Sequence, residues 1–399
     1  MLIFISRHNR VYGMLRVAII GVGRRARAHI ETLRKLHDLF KIEALCDVDR
    51  SRLGIAKEIG ASAYTSVREM LSEVKPDVAL VAVQAEGHHV VTKVLMDSGI
   101  HILCETPIAI SLKCAREMIR WAEKSGVYLE VSENVPRWPR ERLKRKIIEA
   151  GLLGGLKDFY LSYTSGSYHG MAAIRHLIGS EALKVRGEFP ELNSVFERGY
   201  ITFPEVEGVY ELNAVRGNYW EIRGEKGLIR KMEVQIDGVV YPIKIEFSRE
   251  GPPRITGAYV DTKPPVRWEN PLKKYPLTDE DDVARADAWL SLYNAIDRGE
   301  KLNYGAENAL KDLELLIAVR ESAMRGGAEL RLPLGEDLRY DKLVHEEFRK
   351  AYGLDPLRVT LEHLSVKYTI PERLQQLLYY GRLDAWKSSK YRLFYPPRR

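Results

Sequence analysis

Cysteine and glutamine are scarce in this sequence, and long apolar runs are missing. Three cysteines, Cys46, Cys104 and Cys114, show no spacing typical of a disulfide framework or a metal site. Cys46 and Cys104 lie in apolar runs, so we expect buried, reduced thiols, a cytoplasmic protein and no metal. No window approaches twenty uninterrupted apolar residues, so no membrane span is expected. Only four glutamines accompany abundant Glu, Lys and Arg, a composition typical of thermophilic proteins.

The net charge is +7, but the positive excess lies at the two ends of the chain. Residues 1–14 contribute +2 and residues 382–399 contribute +5, so the residues between them sum to zero. Because such an excess forms no basic face on a folded domain, nucleic-acid binding is not expected. The first residues hold a short apolar patch without a cleavage site. We expect Met14 to be the natural start and residues 1–13 to be an upstream extension.

From Leu15 onward, short apolar segments alternate with segments that carry apolar residues at helical spacing. The apolar segments are LRVAIIG, KIEALCD, DVALVAV, IHILCE and VYLEVS. Fully apolar strands alternating with amphipathic helices predict a doubly wound parallel sheet in an α/β fold. Gly60, Gly99 and Gly126 close predicted helices, as glycine commonly does.

After residue 135 the pattern changes. One more helix is followed by longer segments of looser alternation, which are typical of an antiparallel or mixed sheet. Two further helices follow, the first behind a Thr278 cap. We predict an N-terminal extension over residues 1–14, a parallel α/β domain over 15–135, an α+β domain over 136–330 and a C-terminal extension over 331–399 with a basic, aromatic end.

The pattern Gly21-x-Gly23-x-x-Ala26 follows the first predicted strand and opens the first predicted helix. In such a turn, Gly21 permits the tight bend, Gly23 lets the backbone approach a pyrophosphate, and Ala26 lets the helix pack close to the sheet. Asp47 ends the second predicted strand, where an acid can bind the adenosine ribose hydroxyls. The pattern predicts a dinucleotide site, and the alternative is a glycine turn in another parallel α/β protein.

Asp47 favours NAD over NADP, because a carboxylate repels a 2′-phosphate. Nearby arginines keep NADP open, since any of them can meet a phosphate, and the alternative is that they are simply solvated. These arginines are Arg24, Arg25, Arg50 and Arg52. Val22, Arg24 and Arg25, which lie in or beside the turn, are included among the predicted cofactor contacts.

With these pieces in place, the sequence resembles the glucose-fructose oxidoreductase / inositol dehydrogenase / MocA (Gfo/Idh/MocA) family of NAD(P)-dependent oxidoreductases over about residues 15–330. The segments VAIIGVGRRARAHIETL, LVAVQAEGHHVVTKVLMDSGIHILCETPIAIS, KIIEAGLLGGLKDF and VRESAMRGGAELRLP carry the resemblance in order. It implies a Rossmann domain and a second domain with an open, mainly antiparallel sheet that supports a homo-oligomer, a dimer or tetramer. It also implies that the nicotinamide and a sugar or cyclitol meet between the domains, for hydride transfer at a secondary alcohol or ketone.

The family's Glu-Lys-Pro signature corresponds to Glu105-Thr106-Pro107 here, and His88 is placed like the family's recurring His. The resemblance implies that Glu105, Pro107 and His88 lie at the cofactor and that Glu105 and Thr106 order the catalytic site. The family's Lys, which orients substrate and tunes the proton relay, is replaced by Thr106. A Thr brings no positive charge and cannot lower the pKa of a neighbouring acid as an ammonium does.

The catalytic His of the family corresponds to His169 when the chain is aligned from Gly179. Family members often carry Asp-x-x-x-His-x-x-Asp there, and Ser165 and Ala172 occupy the two Asp positions in this chain. The resemblance implies that His169 takes or gives the proton, since an imidazole titrates near neutral pH. The alternative is a hydrogen-bonded His at a helix start.

The predicted substrate contacts come from the stretches ENVPRWP and YTSGSYHGMAAIRHLIGS. The alternatives are a junction turn for the first stretch, ordinary buried tyrosines in the second, and a structural ion pair for its arginine. The residues are Glu133, Asn134, Arg137, Trp138, Tyr163, Tyr168, His169 and Arg175.

The sequence therefore predicts an NAD(H)-dependent oxidoreductase that acts on a sugar, sugar derivative or cyclitol, with His169 as the proton donor or acceptor. Two alternatives stay open. One is a glycoside hydrolase of the same fold that retains NAD and cycles through a ketone, as some family relatives do. The other is a nucleotide-binding sensor or structural subunit, which the missing Lys and Asp favour and the intact glycine turn and His169 oppose.

Overall fold

The computed structural model describes residues 13–190 and 194–383. Most of the predicted N-terminal extension, residues 1–12, and the basic, aromatic tail from residue 384 lie outside the described residues. Cys46 and Cys104 are buried free thiols, as predicted, and Cys114 is buried and free as well. Within the two described ranges, no helix is long and apolar enough to cross a membrane.

A six-stranded parallel sheet forms the centre of the N-terminal part of the described chain. Its strands are β1 (Leu15–Ile20), β2 (Phe40–Cys46), β3 (Ser62–Tyr64), β4 (Val78–Val81), β5 (His101–Cys104) and β6 (Leu129–Val131). The strand order is β3-β2-β1-β4-β5-β6, and every neighbouring pair is parallel. This is the order of a doubly wound dinucleotide-binding sheet, so the predicted α/β fold is confirmed.

Helices connect these strands. In this described region they are α1 (Arg24–Lys35), α2 (Ala56–Ile59), α3 (Val67–Glu73), α4 (Ala85–Asp97) and α5 (Leu112–Ser125), with a 3₁₀ helix at Arg50–Ile55. Gly60 and Gly126 take the left-handed conformation at the ends of α2 and α5, as predicted. The edge strand β3 and helix α3 were not predicted, because both are short and partly exposed.

The second half of the described chain is mainly β-structure. Its strands are β7 (Leu156–Ser162), β8 (Lys184–Glu188), β9 (Val195–Thr202), β10 (Glu207–Asn213), β11 (Tyr219–Gly224), β12 (Gly227–Arg230), β13 (Glu233–Ile236), β14 (Val239–Pro242), β15 (Lys244–Phe247), β16 (Ile255–Val260), β17 (Val266–Glu269) and β18 (Leu330–Arg331). Nine of them form one sheet in the order β14-β13-β12-β11-β7-β10-β9-β8-β18. Only β7 and β10 pair in parallel within this described sheet, so the predicted mainly antiparallel sheet is confirmed.

The chain leaves the large sheet within the segment VVYPIKIEF. β14 ends at Pro242, which has no N–H for a continuing ladder, and β15 begins a separate three-stranded sheet with β16 and β17.

Four helices accompany these sheets in the described chain: α6 (Pro139–Glu149), α7 (Ser167–Ile178), α8 (Glu280–Arg298) and α9 (Gly305–Met324). The predicted Thr278 cap of α8 is wrong by one residue. Asp279 caps the helix instead, and its carboxylate accepts the Asp282 N–H at 2.7 Å. A carboxylate at this position both accepts the free N–H and complements the positive end of the helix dipole.

The chain beyond β18 returns to the parallel sheet. It forms α10 (Arg339–Tyr352), a 3₁₀ helix at Leu361–Ser365 and α11 (Glu372–Tyr380). The Asp341 carboxylate accepts the Leu112 and Lys113 N–H groups at 3.2 and 3.0 Å, which caps the start of α5. His345 Nε2 lies 2.8 Å from the Ser111 hydroxyl. The extension is therefore held against the N-terminal domain by hydrogen bonds to the residues at the start of α5.

A buried carboxyl group also joins the extension to α4. Glu86, in the first turn of α4, is 1% exposed, and its Oε1 accepts the Tyr352 hydroxyl at 3.1 Å. Its Oε2 has no hydrogen-bond partner among the described residues. Burial raises the pKa of Glu86 to about 7. The Tyr368 ring packs over the adjacent Gly87, where an added Cβ would lie 2.6 Å from a ring carbon.

Glu86→Gln should change how stability depends on pH. The pKa of Glu86 is higher in the folded than in the unfolded chain. The protonated side chain therefore contributes its full stabilisation at pH values below the pKa of the unfolded chain. That contribution disappears as pH rises through about 7. The wild type should lose roughly 2–3 kcal/mol relative to Glu86→Gln between about pH 4.5 and 7.5.

Chemical unfolding across this pH range measures the difference. Glu58→Gln, on the exposed face of α2, is the matched control and should follow the wild type. Parallel pH profiles for the wild type and Glu86→Gln would contradict the assignment.

Candidate functional site

Residues that follow the parallel strands meet at one edge of the sheet. Gly21 follows β1, Asp47 follows β2, Glu105 follows β5 and Glu133 follows β6. The first three line a cleft of about 300 Å³, together with Gly23, Arg24, Arg25, Thr106, Pro107 and Tyr168. Ligands of doubly wound sheets bind at this carboxyl edge.

The glycine turn has the geometry that a pyrophosphate requires. Gly21 has φ +85°, and an added Cβ would lie 2.8 Å from backbone atoms of Ala82 and Val83. Gly23 is different, because its added Cβ would meet only Arg52 Nη1, at 4.0 Å. Gly21 therefore allows close packing against the strand edge, while Gly23 leaves the space beside the start of α1 open. The turn fits a dinucleotide phosphate.

Asp47 is held rigidly beside this turn. Its Oδ2 accepts the Val22 N–H at 2.7 Å, and its Oδ1 accepts the Asp49 N–H at 2.8 Å. Arg52 Nη1 lies 3.6 Å away from Oδ2. Each carboxylate oxygen keeps a further lone pair, so the group can still accept ribose hydroxyls. Val22 thus contributes its backbone N–H, which positions Asp47. Arg50 is exposed and does not line the cleft.

Glu105 lies in a buried polar network. His29 Nε2 lies 2.8 Å from Oε1, and Arg25 Nε donates to the same oxygen at 3.1 Å. Trp289 donates to His29 Nδ1 at 3.0 Å, so His29 carries its proton on Nε2 and donates it to Glu105. Although burial opposes ionisation, the His29 hydrogen bond and the Arg25 charge lower the pKa of Glu105 to about 2. Arg25 thus places a positive charge beside Glu105, next in the chain to the uncharged Thr106.

Thr106 and Tyr168 connect the cleft with His169. Both residues line the cleft, and the Tyr168 ring centroid lies 4.4 Å from that of His169. Burial raises the pKa of Tyr168 well above its ordinary value. Tyr168 therefore stays a neutral hydrogen-bonding group at the inner end of the cleft.

His169 has a carboxylate partner that the sequence alignment did not identify. Its Nδ1 lies 2.8 and 2.7 Å from the two carboxylate oxygens of Glu133. Nδ1–H therefore donates to Glu133, which leaves Nε2 as the acceptor, and Nε2 has no hydrogen-bond partner among the described residues. Glu133 itself is 2% exposed. An imidazole oriented in this way can accept a proton at Nε2.

The predicted contacts Asn134 and Trp138 converge on one carboxylate. Asn134 Nδ2 and Trp138 Nε1 each donate to Asp281 Oδ1 at 2.7 Å. Tyr163 stacks on Trp220 with ring centroids 5.8 Å apart. Asn134 and Trp138 lie where the segment after β6 meets α8, and a substrate role for Asn134, Trp138 and Tyr163 stays a prediction.

Two predicted substrate arginines are committed to buried ion pairs. Arg137 is 2% exposed and pairs with Asp287 at 2.6 Å and Glu130 at 3.1 Å. Arg175 pairs with Asp312 and with Glu181, the structural alternative considered from the sequence. Their side chains stabilise helix packing and do not line the cleft.

His88 supports the turn rather than lining the cleft. Its Nδ1 lies 2.8 Å from the Pro107 carbonyl oxygen and its Nε2 lies 3.1 Å from the Val83 carbonyl oxygen. The ring is 1% exposed. His88 therefore fixes the Pro107 turn from behind, and a direct cofactor contact by His88 stays a prediction. Over the described residues, no group of His, Cys, Asp or Glu side chains could hold a metal ion.

A comparison with known protein families finds a match for the N-terminal part of this arrangement. Residues 15–133 match the model of an oxidoreductase family with an NAD-binding Rossmann fold, the Gfo/Idh/MocA family, so the predicted resemblance is confirmed. A D-apiose dehydrogenase from Paraburkholderia graminis is 31% identical over 139 residues, which cover 34% of this chain and 37% of that protein. An alpha-N-acetylgalactosaminidase from Shewanella oneidensis is 29% identical over 178 residues, covering 42% of this chain and 39% of that protein.

The matches with these relatives span less than half of their length. The structural similarity to solved proteins covers more of the chain than these sequence matches do. The WlbA dehydrogenase from Bordetella pertussis, solved in complex with NADH and UDP-GlcNAcA, superimposes with a TM-score of 0.64 at 17% identity. The superposition covers 82% of this chain and all of that chain, so the two-domain fold is shared.

Gly23→Ala should abolish tight NADH binding without disturbing the fold. Its φ of −82° suits any residue and the added methyl meets no protein atom closer than 4.0 Å, but that methyl occupies the space for phosphate approach. We expect at least a tenfold weaker NADH affinity in a fluorescence titration, or about 1.4 kcal/mol.

Gly21→Ala is the contrasting variant. Its methyl would collide with backbone, so it should lose roughly 1–3 kcal/mol of stability. Wild-type NADH affinity in a well-folded Gly23→Ala would show that the turn does not bind a dinucleotide.

Proposed function

Because residues 15–133 belong to this NAD-binding oxidoreductase family, we propose that the protein is an NAD(H)-dependent oxidoreductase acting at a secondary alcohol or ketone of a sugar, sugar derivative or cyclitol. The observation that carries the proposal is the Glu133–His169 pair beside a cleft built on a glycine turn. When bound, NAD supplies the hydride acceptor, and the protein supplies binding, orientation and proton transfer.

The cofactor would be held by three features of the carboxyl edge. Gly21 allows the tight turn while its own N–H donates to the Cys46 carbonyl, Gly23 leaves the start of α1 open to the pyrophosphate, and Asp47 would accept the ribose hydroxyls. NAD is the preferred dinucleotide, because the Asp47 carboxylate would face a 2′-phosphate directly. Arg52, at 3.6 Å from Asp47, weakens this discrimination by partly neutralising the carboxylate.

His169 moves the proton. In the oxidation direction, Nε2 accepts the proton of the substrate hydroxyl, and the imidazolium that forms keeps its Nδ1–H on Glu133. The Glu133 charge stabilises that imidazolium and fixes the tautomer, as a buried carboxylate does beside a catalytic His. In the reduction direction, the same nitrogen returns the proton. Glu133 thereby takes over the role of the two missing family carboxylates.

The surroundings of His169 suit a polyhydroxylated ring. Tyr163 and Trp220 stack to form a flat aromatic wall, with the Tyr163 ring centroid 5.9 Å from that of His169. The Asp281 carboxylate lies beside it with Asn134 and Trp138. Aromatic faces pack against sugar C–H groups, and carboxylates and amides bind hydroxyls. The sugar-related names of the relatives support the same substrate class.

A glycoside hydrolase that retains NAD is the second candidate. The similarity to an alpha-N-acetylgalactosaminidase favours it, and so do the C-terminal residues that line the outer side of the cleft. In that chemistry the dinucleotide ends each turnover as it began, so cofactor release is not needed.

The proposal predicts NADH formation when the protein is incubated with NAD and a panel of sugars, cyclitols and sugar acids. For the panel member that reacts, Glu133→Gln should lower kcat about 10²- to 10⁴-fold with little change in KM, because the amide cannot stabilise the imidazolium. His169→Ala should lose at least as much. Rates with NADP should be lower than with NAD.

Glu149→Gln provides the matched control, since this exposed residue pairs with Arg145 at the surface. It should react like the wild type. Full activity in Glu133→Gln or His169→Ala would refute the proposed proton transfer. Tight NAD binding with hydrolysis of glycosides and no net NADH would select the second candidate.

A further inference from the structure

The cleft has an outer side that comes from a distant part of the chain. The same cleft that the glycine turn lines is also lined by residues 364, 366–370 and 379 of the C-terminal extension, here called the C-terminal wall. Family-matching residues end at 133, so the two sides of the cleft are separate in sequence. A side chain of the C-terminal wall that points into the cleft would contact a molecule bound between the wall and the glycine turn.

The C-terminal wall is fixed at its base. Tyr352 donates to the Thr369 carbonyl at 3.1 Å, and Tyr368 packs on Gly87. Farther along, Arg320 Nη1 donates to the Leu377 and Leu378 carbonyls at 3.2 and 3.0 Å, which holds the helix that carries Tyr379. The wall is therefore a built part of the fold with defined contacts to α4 and α9.

The side chains at the centre of the C-terminal wall take no part in these contacts. Val366 is half-buried, and Lys367 is exposed and makes no hydrogen bond or ion pair with any described residue. Lys367 faces the Asp47 end of the cleft. Together with the stronger Ser51 hydrogen bonds and Arg52, it lowers the pKa of Asp49. A free ammonium on this side complements the negative charge of a dinucleotide.

The other end of the wall reaches the proton-transfer site. Tyr379 lies close enough to Tyr168 to contribute to its raised pKa, after burial, and both residues line the cleft. The wall therefore runs along the cleft from the Asp49 end to the Tyr168 end.

We propose that the C-terminal wall is a second half of the dinucleotide site, with Val366 and Lys367 as binding residues, and that it retains the dinucleotide between turnovers. The inference rests on the proposed function, because it requires a dinucleotide in this cleft. Release then requires the wall to move away from the glycine turn, so release is slow compared with an open cleft. Retention of this kind suits a reaction in which one bound dinucleotide is used repeatedly.

The test compares NADH release from the full-length wild type and from the double variant Val366→Ala/Lys367→Ala. Stopped-flow fluorescence after mixing with excess NAD gives the release rate. We expect the double variant to release NADH about tenfold faster. Lys350→Ala is the matched control, because this lysine of the same extension pairs with Glu346 and Glu347 outside the cleft. It should release NADH at the wild-type rate.

Hydrogen exchange gives an independent readout in the unmodified protein. NADH should slow exchange in residues 364–370, and the α10 helix should be unaffected. Unchanged or slower release in the double variant, or no protection of residues 364–370, would overturn the inference. If the wild type does not bind NADH at all, the proposed function fails as well, whereas NADH binding with unaltered release refutes this inference alone.

Discussion

The parallel alignment of the central strands is the constraint on which the site depends. Since the strands run in one direction, their carboxyl ends fall along one edge, and residues far apart in sequence become neighbours there. Gly21, Asp47, Glu105 and Glu133 all follow strand ends. The glycine turn, Asp47 beside it, the buried Glu105 and the carboxylate partner of His169 are thus placed by one backbone arrangement.

Buried polar groups tie this edge to the second half of the chain. Glu105 accepts from His29, and His29 accepts from Trp289 of α8. One helical turn along α1, Thr32 donates to Asp282 at 2.7 Å and accepts from Arg285 at 3.0 Å. Such groups are costly to bury unless each is satisfied, so α1 and α8 can pack in only one register. The same register brings α8, with Asp281, next to the His169 region.

Much of the fold and half of the site could be predicted from the sequence, because their signals are local. The strand pattern, the turn at Gly21 and Gly23, and Asp47 at a strand end each depend on a few adjacent residues. The partner of His169 could not be found by alignment, because Glu133 comes from the segment after β6 and not from the segment that contains His169. Its signal was available only as an acid at the carboxyl end of a parallel strand. The pairing of Arg25 with Glu105 was not predicted either, since it depends on the packing of α1 against β5. The outer wall of the cleft carries no motif and follows only from the path of the C-terminal extension.

The central claim is that a hydride passes between a substrate carbon and a dinucleotide held in this cleft. The most direct measurement uses a sugar or cyclitol that the protein oxidises, deuterated at the carbinol carbons, with mass spectrometry of the dinucleotide after a single oxidation. The account predicts deuterium in the nicotinamide ring of the NADH, whether that NADH is released or stays bound. Net oxidation of the substrate with no deuterium in the dinucleotide, for any labelled position, would contradict hydride transfer and with it the assigned role of the site.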